Sequence, residues 1–465
     1  MSDNVNIISP VDGSVYASRP ISSDAAIAAA LTAARQARGP WGATSIAERA
    51  KICTHAIDAL LGMADDIIPE LAWQMGRPVK FGAGELAGTS ERATAMIAMA
   101  GAALAPIVPP AKPDFTREIH RVPLGTVLVV APWNYPFLTA VNTIVPALMA
   151  GNAVILKHAS QTLLAGERFQ AVFDQAGLPA GLFKNLVLSH EQTAKMIAGG
   201  LIDQVNFTGS VPGGRSMEAA ASGHFIGVGL ELGGKDPAFV RADAQLDATV
   251  ENLVDGAFFN SGQSCCGIER IYVEAPVYDR FVESFVALTR DYVLGDPLDT
   301  ATTIGPMVNA KAADFVRNQI SAATRAGATS HIDPPRFARA AAGSAYMAPQ
   351  VLTQVNHQMS VMIDESFGPV IGIMKVAGDD EAVTLMNDSP FGLTASIWTD
   401  DLKAASGLAA RIETGTVFMN RCDYLDPELA WTGVKDTGRG ATLSRIGYET
   451  LTRPKSFHLR HRLEA

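Results

Sequence analysis

Residues 126–157 open with Thr126-Val127-Leu128-Val129-Val130-Ala131, pass through Pro132-Trp133-Asn134-Tyr135-Pro136, and run along a helix-like segment from Leu138 to Met149. They close with Asn152-Ala153-Val154-Ile155-Leu156-Lys157. Two short, β-branched apolar runs thus flank one helical segment. Strands this apolar are buried on both faces, so the unit predicts a parallel sheet covered by helices on either side. The same alternation recurs outward from it, at Val205-Asn206-Phe207, Phe239-Val240, Arg270-Ile271-Tyr272-Val273 and Gly415-Thr416-Val417-Phe418-Met419. Upstream, residues 24–37 are rich in alanine and follow Ser22 and Ser23, which predicts a capped helix. Residues 46–75 continue with helical spacing through Ile52, Ile57, Leu60 and Leu61.

A chain of 465 residues divides into two or three domains. Its hydrophobic fraction of 48% and charged fraction of 18% are those of a globular protein, not a disordered one. A net charge of −10 without any run of Lys and Arg argues against nucleic-acid binding, which depends on neutralising phosphates. The four cysteines, Cys53, Cys265, Cys266 and Cys422, are too few for a disulfide scaffold and form no CxxC pair, so no metal site is expected. The polar start Met1-Ser2-Asp3-Asn4 lacks the features of a secretory signal, and the most apolar stretch, Ala95 to Leu104, is too short to span a membrane. A cytoplasmic protein without membrane partners is expected.

Two segments stand outside the alternating pattern. Between Pro106 and Pro123, alternation through Phe115, Arg117, Ile119 and Arg121 predicts an exposed strand, and Phe457 and Leu459 alternate with polar residues near the C-terminus. Left alone, each is an edge strand that invites pairing with another chain; a local hairpin is the alternative.

Three residues carry candidate chemistry. Gly262-Gln263-Ser264-Cys265 sets a thiol in a short polar segment where a ligand can approach the backbone. Most buried cysteines are inert hydrophobes; Cys53 fits that description, Cys266 adjoins Cys265 but points away in an extended segment, and Cys422, between Arg421 and Asp423, is the rival nucleophile. Glu231 ends an apolar run and precedes Gly233-Gly234-Lys235, where partial desolvation favours a general base, or where a structural carboxylate accepts backbone hydrogen bonds. Asn134 in its proline-bounded turn either donates to an oxyanion or closes an Asx turn. Lys157 ends a strand, at the edge where α/β sheets bind ligands. Phe207-Thr208-Gly209-Ser210 with Gly213-Gly214 suits a phosphate at a helix N-terminus, without being a GxGxxG fingerprint.

Taken in order, Pro132-Trp133-Asn134, Ile155-Leu156-Lys157, Phe207-Thr208-Gly209-Ser210, Glu231-Leu232-Gly233-Gly234-Lys235, Gly262-Gln263-Ser264-Cys265 and Glu365-Ser366-Phe367-Gly368-Pro369 resemble the NAD(P)-dependent aldehyde dehydrogenase superfamily over nearly the whole chain. The resemblance implies an α/β fold with a Rossmann-type cofactor domain (1–104 and 124–232), an α/β catalytic domain (233–435) and a β-strand oligomerisation arm (105–123 and 448–465). It implies that Cys265 attacks the aldehyde and that Asn134 and the Cys265 backbone N–H hold the oxyanion. Glu231 then activates the water that hydrolyses the thioester. Lys157 and Glu365 are implied as ribose contacts, Ser210 with Gly209 as a pyrophosphate contact, and Trp133 and Phe367 as neighbours of the nicotinamide. The implied substrate tunnel contains Tyr135, Leu138, Asn142, Phe259, Ser264, Cys266, Asp423, Leu425 and Trp431. A homodimer or homotetramer acting on a small aldehyde is expected.

One departure bears on the cofactor. Many NAD-preferring relatives carry Glu three positions after the matching Lys, and here that position is Ser160. Loss of the carboxylate removes repulsion against a 2′-phosphate, so NADP is expected to be accepted alongside NAD. Arg421 is a candidate anchor for a semialdehyde carboxylate, against the alternative of a plain surface arginine. The rival readings are a CoA-acylating relative, which typically lacks the base, a cofactor-free cysteine hydrolase, and a catalytically silent nucleotide-binding homologue.

Overall fold

The computed structural model describes residues 4–462. Its first large sheet runs Gly438–Arg439, Gly227–Glu231, Gln204–Thr208, Thr126–Val130, Ala153–Lys157, Phe183–Asn185. All neighbours are parallel except Gly438–Arg439, which lies antiparallel on Gly227–Glu231. Every residue of Thr126–Val130 and Ala153–Lys157 is buried, as expected of strands covered on both faces. Helices Asp24–Ala43 and Pro136–Met149 pack against this central pair.

The chain first builds outward from Thr126–Val130 through Ala153–Lys157 to Phe183–Asn185. It then returns to lay Gln204–Thr208 on the other flank. That reversal is a topological switch point, and the crevice beyond the carboxyl ends of the strands is where such sheets bind ligands. The register sets the crevice rim level, because Val130 lies opposite both Lys157 and Phe207, and Thr208 lies opposite Glu231.

The second sheet runs Thr329–Ser330, Gln350–Thr353, Val370–Val376, Ile268–Glu274, Asp236–Val240, Thr394–Trp398, Thr416–Met419, parallel but for Thr329–Ser330. The two-residue period of a strand sends Ala238 and Val240 into one core with helices Leu246–Phe258 and Tyr278–Arg290. Phe239 points the other way, into a core with Ala382, Val383, Ala405 and Leu408.

The two exceptional segments pair with each other. Phe115–Pro123 and Thr452–Arg460 form an antiparallel two-stranded ladder joining distant parts of the chain, and the first also folds back locally, with Ile107 bridging Ile119 and Lys112 bridging Phe115. The N-terminal hairpin Asn4–Ile8 with Val15–Pro20 had no signal in the sequence reading; it is held by Ile7 against Leu163 and Leu164.

Helix boundaries differ where tertiary contacts overrule local pattern. The first helix is capped by Ser23, whose Oγ accepts from the Ala26 N–H at 3.2 Å. It continues past residue 37 and through Pro40 to Ala43, because Trp41 is buried and its Nε1 donates to the Leu148 carbonyl at 2.9 Å. The 46–75 segment is two helices, Ile46–Leu61 and Ala64–Met75, whose apolar spacing carries across the break at Gly62. Among the described residues no helix is long and apolar enough to cross a membrane.

Candidate active site

Two cavities meet at the carboxyl edge of the first sheet. One, of about 870 Å³, follows the switch-point crevice; the other, of about 300 Å³, lies on the far side, and Thr208, Glu231 and Cys265 line both. The thiol reaches this seam through an abrupt turn. Helix Leu246–Phe258 ends, and Asn260, Ser261 and Gly262 all take left-handed conformations, with φ of 53°, 59° and 70°. Gly262 sits where a Cβ would collide with the Gly368 carbonyl, so only glycine fits. The turn is fixed by Gln263, whose Nε2 donates to the Asn260 carbonyl at 3.1 Å and whose Oε1 accepts from the Val308 N–H at 2.7 Å.

Asn134 does not close an Asx turn. Its Nδ2 crosses to the Gln263 carbonyl at 3.2 Å, which ties the amide to the segment carrying Cys265. A carboxamide nitrogen has two hydrogens, so one remains for an oxyanion beside the thiol. The Asn134 carbonyl is itself held by Arg77 Nη2 and by Asn260 Nδ2, the latter at 3.2 Å. Arg77 also donates from Nε to Asn260 Oδ1 at 3.2 Å and is ion-paired to Glu85 with both side chains almost fully buried. Glu85 Oε1 accepts the Phe137 and Leu138 N–H groups at 2.9 and 3.0 Å, capping the helix that starts at Pro136. The sequence reading missed this network entirely.

Glu231 ends its strand at the seam. Its carboxylate accepts from Thr208 Oγ1 at 3.1 Å and from Thr442 Oγ1. Desolvation is the largest influence on it and raises its pKa above the ordinary carboxylate value, with the two hydroxyls and Arg92 pulling the other way.

The larger cavity is lined by Trp133, Lys157, Ser160, Gly209, Ser210, Glu365 and Phe367. Lys157 is 6% exposed and its ammonium has no hydrogen bond or ion pair among the described residues; burial lowers its pKa. Ser210 caps helix Val211–Ala221 by accepting from the Gly213 N–H at 3.3 Å, and that helix turns its N-terminus into the cavity. Phe367 (φ 49°) packs edge-on to Trp133, with ring centroids 5.6 Å apart. The loop bearing Glu365 and Phe367 is anchored by Glu269, which accepts the Ser366 and Phe367 N–H groups at 2.8 and 2.9 Å and pairs with buried Lys235. Burial pushes Glu365 up to about 7. An unpaired buried cation, a helix N-terminus and a carboxylate along one long cavity fit a phosphate-bearing dinucleotide.

His158 ties the segment after Lys157 to the start of helix Pro136–Met149. Burial pushes its ring down to about 4, so it is neutral; Nε2 donates to the Pro136 carbonyl at 3.0 Å and Nδ1 accepts from Thr162 Oγ1 at 3.2 Å.

The smaller cavity is lined by Tyr135, Leu138, Asn142, Phe259, Ser264, Cys266, Asp423, Leu425 and Trp431, together with Arg77, Arg92, Asp255 and Cys422. The other thiols are poorly suited to attack. The Cys266 thiol donates to Asp423 Oδ1 at 2.8 Å, and burial pushes Cys53 up to about 12 and raises Cys422 as well. Arg421 stays outside, its guanidinium 3.7 Å from the centre of the Tyr424 ring, exposed to solvent. Among the described residues no cluster of His, Cys, Asp and Glu suits a metal ion.

A switch-point sheet joined to a second α/β unit, with Cys265 and Glu231 at the seam of two cavities, is the arrangement of a nucleotide-binding enzyme. The chain belongs to the aldehyde dehydrogenase family, whose model matches residues 1–457. It is 33% identical to a vanillin dehydrogenase of Corynebacterium glutamicum, over 95% of this chain and 90% of the relative. It is 32% identical to an NADP(+) succinate-semialdehyde dehydrogenase of Deinococcus radiodurans, over 96% and 93%. The structure of succinic semialdehyde dehydrogenase from Streptococcus pyogenes in complex with NADP+ superposes with a TM-score of 0.93 at 28% identity, covering 98% of this chain and all of that one.

Proposed function

We propose that this chain oxidises a small aldehyde to its carboxylic acid with NAD or NADP, and that Cys265, Glu231 and Asn134 carry out the reaction. The observation behind this reading is that Cys265 and Glu231 line both cavities, with the Asn134 amide tied to the residue two before the thiol. Cys265 Sγ adds to the aldehyde carbon. The free hydrogen of Asn134 Nδ2 and the Cys265 backbone N–H then stabilise the oxyanion that forms on the former carbonyl oxygen. A nicotinamide held in the larger cavity would supply the acceptor for the hydride expelled as the oxyanion collapses to a carbonyl, which leaves the substrate as a thioester on Cys265. Glu231 takes a proton from water, which attacks the thioester carbon; the acid leaves and the thiolate returns. The presence of this base favours hydrolysis over transfer to CoA.

Lys157 is the residue that would hold the adenosine ribose and, in NADP, its 2′-phosphate. Ser210 and Gly209 would face the pyrophosphate, Glu365 the other ribose, and Trp133 and Phe367 the nicotinamide. Because Ser160 offers no carboxylate against a 2′-phosphate, initial rates with NADP should be at least about a hundredth of those with NAD. A lower ratio, measured from the absorbance of the reduced cofactor, would sink this assignment.

Glu231→Gln should leave the first turnover, seen as a burst of reduced cofactor, while the steady-state rate falls about 10²- to 10⁴-fold. Burial raises the pKa of Glu231, so its base form is lost on acidification at a higher pH than for an ordinary glutamate. The acid limb of the wild-type profile should reflect that pKa and vanish in the variant. Loss of the burst itself would mean that Glu231 acts before deacylation.

Residues 1–104 and 124–232 would bind the cofactor, 233–435 would form the catalytic domain, and 105–123 with 448–465 would form the arm. Ile107 bridges Ile119 beside Phe115–Pro123, while among the described residues no strand besides Phe115–Pro123 pairs with Thr452–Arg460; that edge suits a second copy, which supports a homodimer or homotetramer, and light scattering after size exclusion tests it. The four cysteines are unpaired, which supports a reducing, cytoplasmic setting.

A further inference from the structure

Resting on the aldehyde-oxidising reading above, the geometry points to Arg92 as the group that recognises the substrate. We infer that it binds a carboxylate at the far end of the aldehyde, so that the substrate class is an ω-oxo acid. Arg92 lies on the buried face of helix Gly82–Ala103, is 6% exposed, and lines the smaller cavity with Cys265 and Glu231. Only Nη1 is engaged, donating to the Leu138 carbonyl at 2.9 Å and more weakly to Asn142 Oδ1 at 3.4 Å. Nε and Nη2 have no hydrogen bond, and the guanidinium has no ion pair among the described residues. Neither nitrogen is among the sealed, unpartnered atoms such as Arg49 Nε, and Arg92 lines the cavity. A guanidinium buried without a carboxylate is costly, and its fork matches two carboxylate oxygens.

The neighbouring arginines do not compete for the role. Arg77 is committed to Glu85, Asn134 and Asn260, and Arg421 lies outside on Tyr424. The acids facing the same space are Glu85, Glu231, Asp255 and Asp423. Glu85 is paired with Arg77, and Asp423 accepts from the Cys266 thiol and from Ser264 Oγ at 3.3 Å. Burial raises the pKa of Asp255 and Asp423, which lessens their repulsion of an incoming anion. They also supply the rival: an amino-aldehyde bound through these acids.

The test compares 4-oxobutanoate, 5-oxopentanoate, butanal and 4-aminobutanal as substrates of the wild type, Arg92→Lys and Arg92→Leu, with circular dichroism as the check on folding. The wild type should prefer an oxo acid to butanal by about 30-fold or more in kcat/KM. In Arg92→Leu the loss with the oxo acid should exceed the loss with butanal by about the same factor, mostly through KM. Arg92→Lys should fall between, because an ammonium keeps the charge but not the fork. Glutarate should compete with butanal on the wild type, a measurement that needs no variant. Equal losses on both substrates, no inhibition by glutarate, or preference for 4-aminobutanal would each overturn the assignment. If the wild type oxidised none of the four with either cofactor, the enzymatic reading itself would fall, whereas oxidation without preference would remove Arg92 alone.

Discussion

Cys265→Ala should lower aldehyde oxidation by about 10⁴-fold or more while leaving cofactor binding intact. The magnitude follows from the role: without a nucleophile there is no adduct to lose hydride and no thioester to hydrolyse. What survives is only what binding and a pre-set oxyanion site contribute to an uncatalysed reaction. Retained cofactor binding follows from position, since Cys265 is one residue in the wall of a cavity of about 870 Å³ whose anchoring groups, Lys157, Ser210 and Glu365, lie elsewhere along it. Folding should be little changed because the thiol is only half-buried. The control is Cys422→Ala. Cys422 lines the smaller cavity too, but burial and the neighbouring Asp423 and Asp255 hold its proton on, so its removal should cost no more than about threefold. The outcome that would sink the assignment is a residual rate above about a tenth in Cys265→Ala combined with a collapse in Cys422→Ala.

Where the sequence was legible, the reason is physical. Thr126–Val130 and Ala153–Lys157 read as buried strands because a strand covered on both faces has no room for polar residues, and both are buried throughout. Cys265, Glu231 and Asn134, which the structure brings to one cavity, stood out as candidates because each sits in a short segment with glycine or proline, where backbone geometry and chemistry are specified together. The supporting groups are scattered. Thr442 reaches Glu231 from far along the chain, and Asn260 bonds Asn134 across the fold. No local pattern announces such pairs.

Glu85 and Arg92 did leave a trace. Along helix Gly82–Ala103 the buried positions are Gly82, Glu85, Leu86, Thr89, Arg92, Ala93, Met96, Ala100 and Ala103. Two charged residues thus fall on the apolar stripe of a helix at its own period. A charge in that register is either paired in the core or turned into a cavity, and here Glu85 does the first and Arg92 the second. The Arg421 idea failed because proximity in sequence to Cys422 and Asp423 does not fix direction: its side chain turns out to stack on Tyr424.

The pairing of Glu85 with Arg77 leads to the second large effect. Arg77→Met should destabilise the protein by about 3–5 kcal/mol, because it strands a carboxylate that is fully buried. Arg77→Met with Glu85→Met removes both charges and should recover part of that stability, as apolar replacement of buried pairs often does. Activity should not follow. Arg77 holds the Asn134 carbonyl and Asn260, and Glu85 holds the first turn of the helix after Asn134. The double variant therefore frees the Asn134 amide, the donor proposed to meet the oxyanion. A donor displaced from an oxyanion site costs about 10²- to 10³-fold in kcat, so kcat should stay low in a protein whose denaturation midpoint has risen back toward the wild type. Alkylation of Cys265 by iodoacetamide, which forms no oxyanion, should proceed at close to the wild-type rate in the same variant. If kcat and stability recovered together, the pair would be a structural element and nothing more. If alkylation slowed in step with kcat, the network would be positioning the thiol segment through Asn260 instead of the Asn134 amide.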